Sequence, residues 1–128
     1  MLDTVLFAVN GTLMRGLDLN NNLTRIGATF VKESRTRASY KLFSINDEHP
    51  AMYRVSKGGV KVSLEIWKVP TEGLVSILQN EPSGLAIGTV ILEDNSHILG
   101  VLGERILCEG QLEISDFGDW RSYIKQKT

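Results

Sequence analysis

The chain has 128 residues, 42% apolar and 23% charged, with a formal net charge of −1. That length gives one domain, residues 1–128, with room for a sizeable core. The near-neutral charge excludes electrostatic attraction to nucleic acid or to anionic membranes. One cysteine, Cys108, excludes an internal disulfide; with two dispersed histidines it makes a poor ligand set, so no metal and no cofactor is expected.

The N-terminus carries Asp3, no basic region and only a short apolar run, which argues against a signal peptide or a membrane span. A cytoplasmic protein is the expectation. The first element is the run Val5-Leu6-Phe7-Ala8-Val9, which reads as a strand buried on both faces. It runs into Asn10-Gly11, a pair that favours positive φ and a sharp turn. Such a turn aims backbone N–H groups at one point and forms a nest for a carboxylate, with Gly11 allowing close approach. The plain alternative is a strand that simply ends in a turn.

Leu19 and Leu23 are spaced one helical turn apart, and Asn20 is placed to cap a short helix. Ile26 to Val31 is a second strand, and the basic run from Lys32 to Arg37, interrupted by Glu33, reads as a solvated loop. Tyr40 to Ile45 alternates as a half-buried strand, Asn46 to Pro50 forms a loop, and Ala51 to Val55 is extended. Lys57-Gly58-Gly59-Val60 is a hairpin signal. The clearest strand is Val60 to Val69, with Val60, Val62, Leu64 and Ile66 on one face and Lys61, Ser63, Glu65 and Trp67 on the other.

Pro70 stops that strand. Leu74, Ile77 and Leu78 mark a helix capped by Thr71 and ended by Pro82. Leu85 to Leu92 and His97 to Leu102 form a hairpin across Glu93 to Ser96, Cys108 to Leu112 passes from apolar to polar, and a short helix starts at Asp119. Many strands with one or two short helices give an α+β class, a small mixed β-barrel.

The chemistry narrows by elimination. There is no G-x-S-x-G, no histidine in a triad context, no phosphate loop and no zinc set. Carboxylate chemistry beside a backbone oxyanion site remains. Glu81, between a helix end and a buried strand, would have its pKa raised by partial burial, as a general acid/base needs; a solvated carboxylate at a helix end is the alternative. Glu65 suits a cross-strand ion pair, Glu104 a structural role, and His49 and His97 read as surface imidazoles.

Five blocks of the sequence together carry a resemblance. They are Leu6-Phe7-Ala8-Val9-Asn10-Gly11-Thr12-Leu13 with Leu19-Asn20; Val62-Ser63-Leu64-Glu65-Ile66-Trp67-Lys68-Val69-Pro70; and Glu81-Pro82-Ser83-Gly84-Leu85-Ala86-Ile87-Gly88. The others are Leu99-Gly100-Val101-Leu102-Gly103-Glu104 and Ile114-Ser115-Asp116-Phe117-Gly118-Asp119-Trp120-Arg121-Ser122-Tyr123. In this order they resemble the C-terminal domain of allophanate hydrolase and its free-standing homologues, within the γ-glutamylcyclotransferase-like fold.

The resemblance implies that Asn10, Gly11, Thr12 and Leu13 bind substrate through backbone groups, Asn10 standing where that fold often has Tyr. It implies that Glu81 occupies the position of the acid/base glutamate. Domains fused to allophanate hydrolase more often read Ile-Pro-x-Pro-Leu-Gly-Ile-Gly there, so the acid makes this chain look like the free-standing homologues. In the full enzyme an amidase domain releases ammonia from allophanate, and the C-terminal domain is associated with decarboxylating the N-carboxycarbamate product.

Two expectations follow. One is an enzyme acting on a compact carboxylate-bearing amide or carbamate, of allophanate, N-carboxycarbamate or γ-glutamyl type. The other is a non-catalytic accessory domain for a separately encoded amidase, or a homodimer.

Overall fold

β1 (Thr4–Val9) is the middle strand of a five-stranded sheet, which is why its sequence is apolar nearly throughout. It pairs antiparallel with β5 (Ser63–Pro70) over its whole length and parallel with β7 (His97–Gly103) at Phe7↔Leu99 and Ala8↔Gly100. β2 (Thr29–Arg35) flanks β5 and β6 (Leu85–Ile91) flanks β7, giving the order β2-β5-β1-β7-β6. A second sheet orders β4 (His49–Arg54), β3 (Tyr40–Ile45) and β8 (Leu112–Glu113) as β4-β3-β8. The computed structural model describes residues 3–127.

The α+β class is confirmed, with two sheets and four short helices among the described residues: α1 (Asn21–Thr24), α2 (Leu74–Gln79), α3 (Arg105–Cys108) and α4 (Trp120–Gln126). The outer strands of the larger sheet meet at one end. Arg37 N–H donates to the Ile91 carbonyl and Glu93 N–H to the Arg35 carbonyl, each at 3.0 Å. The Tyr40↔Val60 bridge ties β3 to the segment that leads into β5. Between the sheets lies one core that holds Phe7, Val9, Tyr40, Leu42, Ile66 and, from α4, Trp120 and Tyr123. None of the helices among the described residues is long and apolar enough to cross a membrane.

Several local expectations need correction. The polar run from Lys32 to Arg35 is strand, not loop: as an edge strand with a bulge after Phe30, it exposes its charges and needs no apolar alternation. The Lys57–Val60 glycines do not join a hairpin, because β4 and β5 lie in different sheets. Gly59 serves the crossing, since a Cβ there would lie 2.5 Å from the Ser39 carbonyl carbon. β1 is not buried on both faces throughout, for Leu6 is 47% exposed. Asn20 and Thr71 cap nothing with their side chains, whereas the Asp119 carboxylate accepts from Ser122 N–H at the start of α4.

The largest departure concerns β5. Glu65 and Trp67 sit on the face expected to be polar, yet Glu65 is only 2% exposed. Its carboxylate is no cross-strand partner. It accepts from Arg15 N–H and Arg15 Nε at 3.0 Å, from Trp67 Nε1 at 3.1 Å and from Arg121 Nη2 at 3.1 Å. Phe30 packs edge-on against Trp67, and the Arg15 guanidinium lies 3.6 Å above the Phe30 ring. A charge removed from water is tolerated only when its lone pairs are filled in this way.

This arrangement predicts non-additive substitutions. Arg15→Ala or Arg121→Ala alone leaves Glu65 one guanidinium and costs about 1–2 kcal/mol. The double variant leaves a buried carboxylate without a counter-ion, and its loss exceeds the sum of the singles by about 1–3 kcal/mol. Urea unfolding of the four proteins measures this coupling; strict additivity would show that Glu65 does not depend on the pair.

Candidate functional site

β1 delivers the chain to Asn10, which is 4% exposed, and the Asn10 side chain fixes the strand end by donating from Nδ2 to the Val101 carbonyl at 3.1 Å. A tight turn follows, closed by Met14 N–H on the Gly11 carbonyl at 3.0 Å. The loop is then held from behind: Leu19 N–H donates to the Thr12 carbonyl at 2.9 Å and Asn20 Nδ2 to the Leu13 carbonyl at 2.8 Å. Its far end is Arg15, fastened to Glu65. The segment is preorganised at every second or third residue.

The reason for Gly11 differs from the expected one. Gly11 does not adopt positive φ. A Cβ there would meet the Pro50 ring at 2.7 and 2.8 Å, so glycine is required by the close approach of β4. The Nδ2 of Asn10 is likewise engaged by the β7 backbone.

Residues 10–13 and Glu81 line a single cavity with Val9, His49, Pro50, Leu85 and Val101, although seventy positions separate Gly11 from Glu81. The cavity is small, about 10 Å³ counted over positions that a water centre can occupy, which suits a single water molecule. Thr12 and His49 also line an adjoining groove of about 370 Å³ with Asp18, Leu19, Asp47, Glu48 and Pro82. Space for a ligand is therefore outside the cavity, and the approach to it is acidic.

Glu81 follows α2, where Glu81 N–H still donates to the Leu78 carbonyl at 3.3 Å. Pro82 and a left-handed Gly84 (φ +90°) then turn the chain into β6. The turn places the carboxyl group in the cavity wall. Its Oε1 is buried and has no hydrogen-bond partner among the described residues. Burial without compensation pushes the Glu81 carboxyl up to about 7. Glu65 and Glu104 are not in this cavity; Glu104 is exposed at the end of β7.

His49 is the residue that sequence reasoning missed. It is not a surface imidazole: β4 begins at His49, and the residue is 8% exposed. Its Nδ1 lies 3.0 Å from the Pro50 carbonyl, which can only accept, so Nδ1 carries a proton in this contact. The missed signal was the pairing of Ile45 with His49 across a three-residue turn, Asn46 to Glu48, in which Asn46 and Asp47 have positive φ. His97 is exposed, as expected.

Known proteins share this sequence and fold. Residues 5–125 match the family model described as the allophanate hydrolase C-terminal domain. Urea amidolyase of Lachancea kluyveri is 29% identical over 95% of the chain, which spans only 7% of that relative. Among solved structures, a uropathogenic E. coli-specific protein superimposes with a TM-score of 0.96 at 53% identity, covering 97% of this chain and 98% of that one. Allophanate hydrolase of Kluyveromyces lactis gives 0.93 at 28% identity, covering 98% of this chain and 22% of that one. A γ-glutamyl cyclotransferase gives 0.52 at 16% identity over 87% of this chain and 70% of that one, a likeness of fold alone. With the family model matched across almost all of its length, this chain belongs to the allophanate hydrolase C-terminal domain family.

Proposed function

We propose that this protein is a small enzyme acting on a compact amide or carbamate that bears a carboxylate, with Glu81 as its general acid/base. The observation that carries the reading is the meeting of a carboxyl group, one oxygen of which is buried and unpartnered, with residues 10–13 in one cavity. A carboxyl group poised near pH 7 exchanges protons readily at neutral pH. The backbone of residues 10–13, fixed by Asn10, Asn20 and Arg15, orients the substrate oxygens.

A second reading has its own support. The family is the C-terminal domain of a larger hydrolase, and this chain spans 22% of the Kluyveromyces lactis allophanate hydrolase. On that reading the domain is an accessory to an amidase encoded separately, and the cavity is a structural remnant. Purified protein screened for release of ammonia, carbon dioxide and 5-oxoproline separates the two.

Glu81→Gln keeps the side-chain shape and removes the exchangeable proton. The chemical step should fall by about 10²–10⁴-fold with ligand affinity little changed at pH 6, measured as kcat and Kd. Full activity in this variant would end the assignment. A measurement without substrate is also available. The folded protein holds the Glu81 proton more tightly than the unfolded chain, so the residue favours folding below pH 4.5. That contribution is lost as pH rises through about 7. Glu81→Gln should match the parent near pH 4 and exceed its stability at pH 8 by about 1–3 kcal/mol, allowing for partial solvent contact.

Gly11→Ala tests the other wall. Its methyl group would drive the Pro50 ring away by several tenths of an ångström, costing about 1–3 kcal/mol of stability and weakening ligand binding before the chemical step. Unchanged Kd with a normal melting temperature would show that the Gly11–Pro50 gap does not shape the site.

A further inference from the structure

At the far end of β4 from His49 lies a groove that the Glu81 cavity does not share. β3 and β4 pair Lys41 with Tyr53, which places both on the sheet face turned away from the main core. Tyr53 stacks on Phe43 with ring centroids 5.5 Å apart, and the Arg105 guanidinium of α3 lies 5.9 Å from the Tyr53 ring centroid. Arg54, Val55 and Ser56 complete the wall where β4 leaves its ladder, and the open groove has a volume of about 480 Å³.

Three cations therefore surround one groove in a chain whose overall charge is −1. Lys41 Nζ is 4.0 Å from Glu113 Oε1, a loose contact between side chains one-third or more exposed. Among the described residues, neither Arg54 nor Arg105 has a carboxylate within ion-pair distance. Elsewhere Arg15 and Arg121 share Glu65, and Arg35 pairs with Glu93. Unneutralised arginines lining one groove raise its potential and concentrate anions there.

We infer that this groove is a binding site for a small phosphate-bearing ligand. Two guanidinium forks, one ammonium and the Ser56 hydroxyl offer donors to several oxygens of one anion, and the planar fork matches phosphate geometry. The Tyr53 ring is already engaged by Phe43 and Arg105, so recognition is ionic rather than by base stacking. The groove is larger than a bare phosphate needs, which leaves room for the esterified part of a phosphomonoester. Nothing in this inference depends on the role of Glu81.

The test uses the full chain at low ionic strength, titrated calorimetrically and by melting temperature with inorganic phosphate, glycerol 3-phosphate and sodium chloride. Saturable binding of either phosphate, with chloride inert, is the expected result. Tighter binding of glycerol 3-phosphate identifies an ester as the ligand, and equal binding identifies the phosphate group alone. The Arg54→Ala/Arg105→Ala double variant should weaken binding by tenfold or more, while its melting temperature without ligand stays within a degree or two. Arg54→Lys/Arg105→Lys should fall between, because charge remains and the fork is lost. Non-saturating binding, equal effects of chloride and phosphate, or undiminished affinity in the alanine variant would each overturn the site. So would capture of a polyglutamate peptide with no phosphate binding, which would make the groove a protein contact instead.

Discussion

The carboxylate of Glu65 is the constraint on which the rest of the molecule depends. It lies in β5, second from the edge of the larger sheet, with both faces covered, and four donors converge on it from the loop after β1, from β5 and from α4. Burying this charge costs several kcal/mol before its partners are counted, so the fold is committed to bringing those partners in. Their arrival fixes where Arg15 stands, and therefore where the loop from Gly11 must end. Arg121 reaches further, donating from Nη2 to the Arg15 carbonyl as well as to Glu65. Loop, strand and terminal helix are one hydrogen-bonded unit.

A second carboxylate, Glu81, is treated in the opposite way. Glu65 is surrounded by donors; Glu81 has one buried oxygen with none among the described residues. The two environments separate the chemistry of two identical side chains, one filled and structural, the other held near neutral pH by desolvation alone. Unsatisfied buried polar atoms are rare because each is costly, and those that persist lie most often where a ligand or a proton completes them. The water-sized cavity next to Glu81 is consistent with that reading, since a single water or substrate oxygen would satisfy the group.

Much of this was legible in the sequence, for a physical reason. β1, β3, β5 and the β6–β7 hairpin have alternation or apolar runs that a sheet satisfies, and the short helix expected from Asp119 is α4. What was illegible is non-local. An edge strand such as β2 needs only one partner and tolerates Lys32, Glu33 and Arg35, so no pattern marks it. Periodicity placed Glu65 correctly on the face opposite Leu64 and Ile66 but had no means of seeing that Arg15 and Arg121, fifty and fifty-six positions away, would cover that face. The meeting of residues 10–13 with Glu81 came from resemblance, whereas the reason for Gly11, its approach to Pro50, belongs to the folded state alone.

The width of the cavity has two separate origins that converge on α4. One wall is the loop from Gly11, tied through Arg15 and Glu65 to Arg121 of α4. The other is Pro50, which follows the turn at Asn46 and Asp47, both in the left-handed region that non-glycine residues seldom occupy. That turn is held by its own carboxylate: Asp47 accepts from Ser44 Oγ and from Tyr123 OH at 2.6 Å, and pairs with Lys127. Lys127 foremost, then the two hydroxyls, keep the Asp47 carboxyl well below the usual range. Arg121 and Tyr123 are on α4, and Lys127 is the residue that ends it. One seven-residue helix, capped at Asp119 and packed through Trp120, thus grips both walls at points seven residues or fewer apart in sequence. The gap between Gly11 and Pro50 is therefore braced from α4 as well as from the sheet, where Asn10 holds the end of β1 to β7.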